Sequence, residues 1–332
     1  MAHSVILGTG RALPARVVTN DDLTAFMDTT DEWVRTRTGI QERRWITEGE
    51  SGVDLGKQAS LEALAMAGLE PSAIDAIIYA TSTPDHYAPG NGVFLQRELG
   101  LTATIPAIDI RMQCAGFVYA LSVADAYIRS RAFRRLLVVG QEIQSTRMEL
   151  STEGRNTAVI FADGAGAMVL AASDEPNRGI LAFDLHSQGE NAEKLWAEGP
   201  SSMVRLEAWP TDIAEGRCWL QMDGREVFRH AVLRMPESVR AVLQEAGVAM
   251  EEIKLLIAHQ ANLRISEAVQ KELGLRDEQT YNNIQRYGNT TAATIPIALD
   301  ECARAGRLAQ GDLVVLTAFG SGFVWASAVL RW

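Results

Sequence analysis

Three residues in this 332-residue chain have the types and settings that covalent chemistry needs. Cys114 lies in Ile108-Asp-Ile-Arg-Met-Gln-Cys114-Ala-Gly-Phe-Val-Tyr-Ala-Leu121. The apolar run 105–110 reads as a buried strand and breaks at Arg111 and Gln113. From about Cys114 a helical period begins, with Phe117, Leu121, Ala124 and Ile128 near one face. A thiol at a strand-to-helix junction faces unpaired backbone N–H groups and the positive end of a helix dipole. Both favour the thiolate, the nucleophilic form. Taken alone, a cysteine is more often a small buried hydrophobe. Two polar residues at similar positions alter that balance. His259 closes the run Leu255-Leu-Ile-Ala-His259, and Asn289 follows Gly288 in Arg286-Tyr-Gly-Asn289-Thr-Thr. Alone, Asn289 reads somewhat better as a helix cap and His259 as a hydrogen-bonded strand end. With a cysteine at a matching junction, the functional reading of all three together outweighs the structural one.

The elements that must position these residues recur along the chain. Ala67-Gly-Leu-Glu-Pro-Ser-Ala-Ile-Asp-Ala-Ile-Ile-Tyr-Ala80 aligns without a gap on Ala246-Gly-Val-Ala-Met-Glu-Glu-Ile-Lys-Leu-Leu-Ile-Ala-His259. Leu99-Gly-Leu101 matches Leu273-Gly-Leu275, and Leu137–Val139 matches Val314–Leu316, in the same order and at nearly the same offset. The chain therefore reads as two similarly folded halves, residues 1–173 carrying Cys114 and residues 174–332 carrying His259 and Asn289, joined near 171–178. Counted from the Leu-Gly-Leu sites, Asn289 is the rough pseudo-twofold counterpart of Cys114. Solid Val/Ile/Leu runs (136–139, 255–257, 313–316) fit strands covered on both faces, hence a layered α/β architecture. Val5–Leu7 reads as a strand, 53–66 as a helix stopping at Gly68, and 74–80 as a buried strand. The Arg-rich stretch 29–44 opens with residues that can cap a short helix. Residues 187–216 are weakly periodic and read as a surface excursion or lid.

Composition narrows the classes. At 47% hydrophobic residues the chain can bury a large core, and no apolar run approaches the roughly 18–20 residues of a membrane span. The start shows no basic region and no long apolar segment, so no secretory signal is expected. The three cysteines, 114, 218 and 302, lie far apart, and the five histidines form no ligand pair at helical spacing. This predicts neither a disulfide framework nor a metal site, and a reducing cytoplasm. A net charge of −11 argues against nucleic acid as a bulk partner.

Longer motifs carry a resemblance. Thr30-Asp-Glu-Trp-x-x-x-Arg-Thr-Gly-Ile40, Cys114-Ala-Gly-Phe-x-Tyr-Ala-Leu121, Asp163-Gly-Ala-Gly-Ala167, His259-Gln-Ala-Asn-x-Arg-Ile265, Tyr287-Gly-Asn-Thr-Thr-Ala-Ala293 and Ala318-Phe-Gly-Ser-Gly-Phe-x-Trp325 resemble β-ketoacyl-acyl-carrier-protein synthase III. The resemblance implies the thiolase fold, five layers (αβαβα) from two duplicated halves, and a homodimer. It implies that Cys114 takes an acyl group from acyl-CoA, with the N–H groups of Cys114 and Ser321 as oxyanion hole. His259 and Asn289 would then stabilise the enolate left when a malonyl thioester on acyl carrier protein loses carbon dioxide. No metal or tightly bound cofactor is implied. By the same resemblance, Trp33 and Arg155 flank the adenine of the donor, Arg37 meets its phosphates, Asn262 orients active-site groups and Phe319 walls the chamber. Arg225, Arg229, Arg264 and Lys271 occupy positions that the family makes basic for the acidic carrier protein, Arg225 and Arg229 sharing a helix face.

Departures from the family pattern bear on specificity. Arg111, Met112 and Gln113 stand where the best-known members carry small residues. Ala88 stands where a phenylalanine often closes the partner subunit's acyl pocket, which predicts a medium or long acyl donor. An acyltransferase of the same fold, passing the acyl group to an amine or alcohol without condensation, is the alternative. A hydroxymethylglutaryl-CoA synthase would need a carboxylate base, and the motif positions offer none. A thiolase would carry a second active cysteine in the Gly-rich C-terminal segment, which has none.

Overall fold

The computed structural model describes residues 3–175 and 178–332; residues 176–177 of the predicted junction, and Met1 and Ala2, lie outside the described residues. In chain order the strands are β1 (His3–Ala12), β2 (Val17–Thr19), β3 (Glu42–Arg44), β4 (Ala76–Ala80), β5 (Ala107–Ile110), β6 (Arg135–Glu142), β7 (Gly164–Ser173), β8 (Gly179–Ser187), β9 (Leu195–Trp196), β10 (Gln221–Met222), β11 (Ile253–Ala258), β12 (Leu313–Gly320) and β13 (Val324–Arg331). The helices are α1 (Asp31–Thr38), α2 (Gly52–Ala67), α3 (Asn91–Glu98), α4 (Gly116–Arg129), α5 (Arg155–Ala158), α6 (Trp209–Ala214), α7 (Gly224–Ala246), α8 (Leu263–Leu273), α9 (Ile284–Tyr287) and α10 (Thr294–Arg304).

Two sheets organise the molecule. The first runs β1-β7-β6-β4-β5 and the second β11-β12-β13-β8. Read from the other edge, the second is β8-β13-β12-β11, the same pattern without the fifth strand. The matching pairs agree in direction: β4 and β6 are parallel, as are β11 and β12, while the remaining neighbours β6–β7–β1 and β12–β13–β8 are antiparallel. Where a counterpart of β5 would lie, a single parallel bridge joins Leu256 to Thr280. The repeated sequence explains the repeated structure. Gly68 and Gly247 end α2 and α7 in the left-handed conformation at φ 65° and 67°, which favours glycine. A 3-10 turn and a buried strand follow each.

Packing gives five layers. Helices α4 and α10 lie between the sheets: Phe117, Leu121 and Ile128 of α4 and Ile295, Ala298 and Leu299 of α10 share one buried cluster with residues from both sheets. Outside the first sheet, Leu55, Ala59 and Ala63 of α2 pack with Ile77, Leu137 and Val169. Outside the second, Val239 and Val242 of α7 and Val269 of α8 pack with Leu256 and Val315. Full burial of a Leu, Ile or Phe side chain stabilises by roughly 1.5–3 kcal/mol, so the central cluster is a major term in holding Cys114 in place.

Three expectations need correction. The strand before Cys114 starts at Ala107 and is half-exposed, because β5 is an edge strand with β4 as its one neighbour in the sheet. The strand expected over 74–80 begins at Ala76, after a 3-10 turn at Pro71–Ala73. The helix expected from Cys114 starts at Gly116, with Cys114 in a 3-10 turn over Gln113–Ala115.

Candidate active site

A backbone reversal sets Cys114 between the layers. Gln113 has φ +44°, a left-handed conformation uncommon for a side-chain-bearing residue. Thr291, ahead of α10, has φ +48°. Aligning the starts of α4 and α10 pairs these two residues and corrects the register inferred from sequence: Ala292 is the counterpart of Cys114, and Asn289 that of Arg111. The loop before α10 is longer than that before α4, so counting from the Leu-Gly-Leu sites misplaces it. On the other side, a Cβ on Gly320 would lie 2.7 Å from Cys114 Cβ and 3.2 Å from its Sγ, so the end of β12 must be glycine to reach the cysteine. The backbone N–H groups of Cys114 and Ser321 both point at the sulfur. The Ser321 hydroxyl donates to the Leu195 carbonyl, fixing that turn.

The resident form of the nucleophile differs from the expected thiolate. Burial pushes the Cys114 thiol up to about 12, the charge of Glu142 adds to the rise, and the two N–H groups only partly oppose it. Desolvation outweighs the helix terminus here, so the free enzyme holds a thiol whose proton must leave as the substrate arrives.

Glu142 was not singled out from the sequence: it ends β6, beyond Gly140 and Gln141, and is fully buried there. It accepts hydrogen bonds from Ser82 N (3.0 Å), Ser82 Oγ (2.9 Å), Thr83 Oγ1 (2.6 Å) and Gln144 Nε2 (3.4 Å). Burial raises it to about 7 against these donors. Its oxygens are engaged, so when ionised it acts on Cys114 through its charge and not as a free base. Replacing Glu142 by Gln removes a negative charge that disfavours the thiolate. The midpoint of the pH dependence of Cys114 alkylation by iodoacetamide is therefore expected to move to lower pH. An unmoved midpoint would show that the sulfur does not feel this carboxylate.

His259 and Asn289 are held so that one nitrogen of each is free. The His259 backbone N–H donates to Thr317 O at 2.8 Å. Its Nδ1 lies 2.7 Å from Thr294 Oγ1, and that hydroxyl donates to Thr291 O at 3.1 Å. The Thr294 oxygen is therefore the acceptor from Nδ1–H, which assigns the tautomer from the network and leaves Nε2 as the bare nitrogen. Nε2 is buried without a partner, and burial lowers the ring to about 3, keeping it neutral. Asn289 is tied through its backbone to Ile160 O and Ala162 N, both at 2.9 Å, and its Oδ1 accepts from Thr291 N at 2.8 Å. Its Nδ2 donates to none of the described residues. Among those residues, no cluster of three or more His, Cys, Asp and Glu has metal-site geometry, and no helix is long and apolar enough to cross a membrane.

Cys114 and Ser321 open into a cavity of about 600 Å³ whose walls include Phe161, Leu195, Trp196 and Leu220. The excursion predicted over 187–216 supplies one wall, including Trp196 and, from α6, Trp209. Ala88 is exposed and does not line this cavity, whereas Tyr87 does. Neither His259 nor Asn289 lines it, and Phe319 packs instead with Phe323 (4.8 Å between ring centroids) and Trp325 (6.4 Å). At α1, the guanidiniums of Arg37 and Arg155 sit 4.3 and 4.8 Å from the Trp33 ring centroid. Asn262 caps α8 by accepting from Arg264 N (3.0 Å) and donates to Arg37 O (2.9 Å); it joins α8 to α1, and its side chain makes no hydrogen bond to Cys114, His259 or Asn289. Arg264 stacks on Phe228 (5.8 Å), linking α8 to the face of α7 that carries Arg225 and Arg229. Arg229 is paired with Glu226, whereas Arg225 and Lys271 are exposed.

A layered α/β fold with two matching sheets and a cysteine under two N–H donors at the start of a central helix is the architecture of the thiolase-type class. Comparisons with known proteins narrow the class. Models of 3-oxoacyl-[acyl-carrier-protein] synthase III match residues 108–189 and, for its C-terminal part, 243–332. The chain is 42% identical over 336 residues to the β-ketoacyl-[acyl-carrier-protein] synthase III of Brucella suis, covering all of both chains. It is 43% identical over 331 residues to that of Desulfotalea psychrophila, covering 99% of each. The crystal structure of the Aquifex aeolicus 3-oxoacyl-[acyl-carrier-protein] synthase III matches at a TM-score of 0.91 and 40% identity, over 99% of this chain and 100% of that one. The chain belongs to the β-ketoacyl-[acyl-carrier-protein] synthase III family.

Proposed function

We propose that this enzyme condenses an acyl-CoA primer with a malonyl thioester on acyl carrier protein, giving a 3-oxoacyl thioester and carbon dioxide in fatty acid or related biosynthesis. The observation that carries the assignment of roles is the pairing of a thiol under two N–H donors with two unengaged nitrogens, His259 Nε2 and Asn289 Nδ2.

The chemistry follows from these groups. As the primer's carbonyl enters the hole formed by Cys114 N–H and Ser321 N–H, the Cys114 proton passes to bare Nε2 of His259, and sulfur attacks the carbonyl carbon. The tetrahedral intermediate collapses, the carbon–sulfur bond to CoA breaks, and the CoA thiolate takes a proton from solvent. The malonyl thioester then presents its carbonyl oxygen to Nε2–H of His259 and Nδ2–H of Asn289. The bond to its carboxylate breaks, carbon dioxide leaves, and the electron pair is held as an enolate. Its carbon attacks the acyl-cysteine, the Cys114 thiolate departs and recovers its proton from His259. Carbon dioxide loss generates the carbanion, so the scheme assigns no step to a metal.

The donor would reach Cys114 from the side of Trp33, with Arg37 and Arg155 meeting its nucleotide. Arg225, Arg229, Arg264 and Lys271 would receive the acidic carrier protein, steering it electrostatically. The exposed edge of β5 supports a homodimer paired through that edge, and three free cysteines suit a reducing cytoplasm. We take residues 1–173 and 174–332 as the two halves of one catalytic unit.

Incubation with acyl-CoA and malonyl-acyl carrier protein should release one carbon dioxide per 3-oxoacyl product; acyl transfer without release would refute condensation. Ala88 in place of a ring leaves space for further methylenes, each worth about 0.8 kcal/mol when buried. Initial rates are therefore expected to rise from acetyl- to octanoyl-CoA, and a steady fall would contradict a medium or long donor.

A further inference from the structure

The cavity beyond Cys114 has apolar walls, but apolar groups are not all that line it. Two guanidiniums line it, Arg111 and Arg147. Arg111 makes no ion pair or hydrogen bond with a described residue, and Arg147 reaches only the Pro84 carbonyl at 3.5 Å. The one carboxylate on the same lining, Asp85, is already engaged: its two oxygens accept from Gly52 N and Val53 N, each at 2.9 Å, at the start of α2. The cavity therefore offers two cations and no carboxylate free to pair with them.

Position tells which substrate would supply an anion. The CoA phosphates are matched by Trp33, Arg37 and Arg155, none of which lines this cavity. The malonyl group must meet His259 and Asn289, which do not line it either. What remains is the part of the primer beyond the thioester carbon. Arg111 also stands three residues ahead of Cys114, on the same lining as the sulfur.

We propose that Arg111 and Arg147 bind the remote carboxylate of the acyl group, so that the preferred primer is the CoA thioester of a dicarboxylic acid. This rests on the acyl-cysteine reading of Cys114 given above. A planar guanidinium grips a carboxylate through two parallel N–H bonds, stronger than a contact between neutral groups.

The test compares primers of equal length, octanoyl-CoA and the mono-CoA thioester of octanedioic acid, by the rate at which each adds its mass to the intact protein. On wild type the dicarboxylic primer is expected to load about tenfold faster or more, as a charge-assisted contact warrants, and that ratio should fall at least about tenfold in Arg111→Gln, and fall in Arg147→Gln. Octanoyl-CoA loading as fast as its partner on wild type, or a ratio unchanged in both variants, would overturn the proposal while leaving the acyl-cysteine intact. An Arg111→Gln protein that runs as a monomer where wild type runs as a dimer would mark Arg111 as an interface residue, also overturning it. No adduct from either primer would instead remove the acyl-cysteine reading beneath it.

Discussion

Cys114→Ala is expected to lose the acyl adduct altogether and to reduce condensation to background, while still releasing carbon dioxide slowly from malonyl-acyl carrier protein. The partition follows from the geometry. Sulfur is the atom that forms the covalent bond, and removing it leaves only binding and the N–H donors. Asn289 Nδ2 keeps its N–H and its anchors through Thr291 and Ile160, whereas His259, held by Thr294, has no thiol proton to receive at Nε2, so release is slow. Alanine fits the space of the thiol beside Gly320, so the fold should survive, and thermal melting checks that it does. Intact-mass analysis after exposure to acyl-CoA and headspace carbon dioxide measure the two half-reactions separately. An equal adduct on wild type and variant would place the nucleophile elsewhere.

The second large effect separates His259 from Asn289. Asn289→Ala removes a donor to the enolate but nothing that the first half-reaction uses. The acyl adduct should form at nearly the wild-type rate, and carbon dioxide release should slow by about 10²–10³, the usual cost of one such donor. His259→Ala should slow both half-reactions, because Nε2 is both the base for the Cys114 thiol and a donor to the enolate. The need for a base is acute here, since burial holds the thiol at about 12. A His259→Ala enzyme that acylates normally would mean that the thiol proton leaves by another route. Acylation should also respond to pH with a sign set by His259. Burial depresses its basicity to about 3, so Nε2 stays a free base down to well below neutrality, and loading should not lose its base as pH falls from 7 to 5.

Much of this was legible in the sequence because the duplication is preserved where backbone geometry is least forgiving. The Ala-Gly pairs at 67–68 and 246–247 mark helix ends that need a left-handed residue, and the apolar runs after them are strands covered on both faces. Cys114 and His259 could be singled out as candidates from their places at the ends of those units. What escaped had physical reasons. Burial of Cys114 is a property of the assembled layers, and a helix-start argument carries no information about desolvation. Glu142 lies on a different strand, and only folding brings its charge near the sulfur. The true counterpart of Asn289 was hidden by a longer loop ahead of α10. The half-exposed state of β5 depends on sheet order, which the sequence of one strand does not contain. Asn262, assigned by resemblance to orient the active site, caps α8 and ties it to α1.

The central claim is that the acyl group on Cys114 becomes the end of the new chain and that carbon dioxide loss drives the bond. A single-turnover experiment tests it most directly: protein pre-acylated with a labelled primer and freed of CoA is mixed with malonyl-acyl carrier protein. Mass analysis follows the acyl-cysteine, and carbon dioxide and product are counted against it. One carbon dioxide and one labelled 3-oxoacyl-acyl carrier protein should appear for each acyl-cysteine consumed. Acyl-cysteine that persists while carbon dioxide is released, or labelled product formed without carbon dioxide, would contradict it.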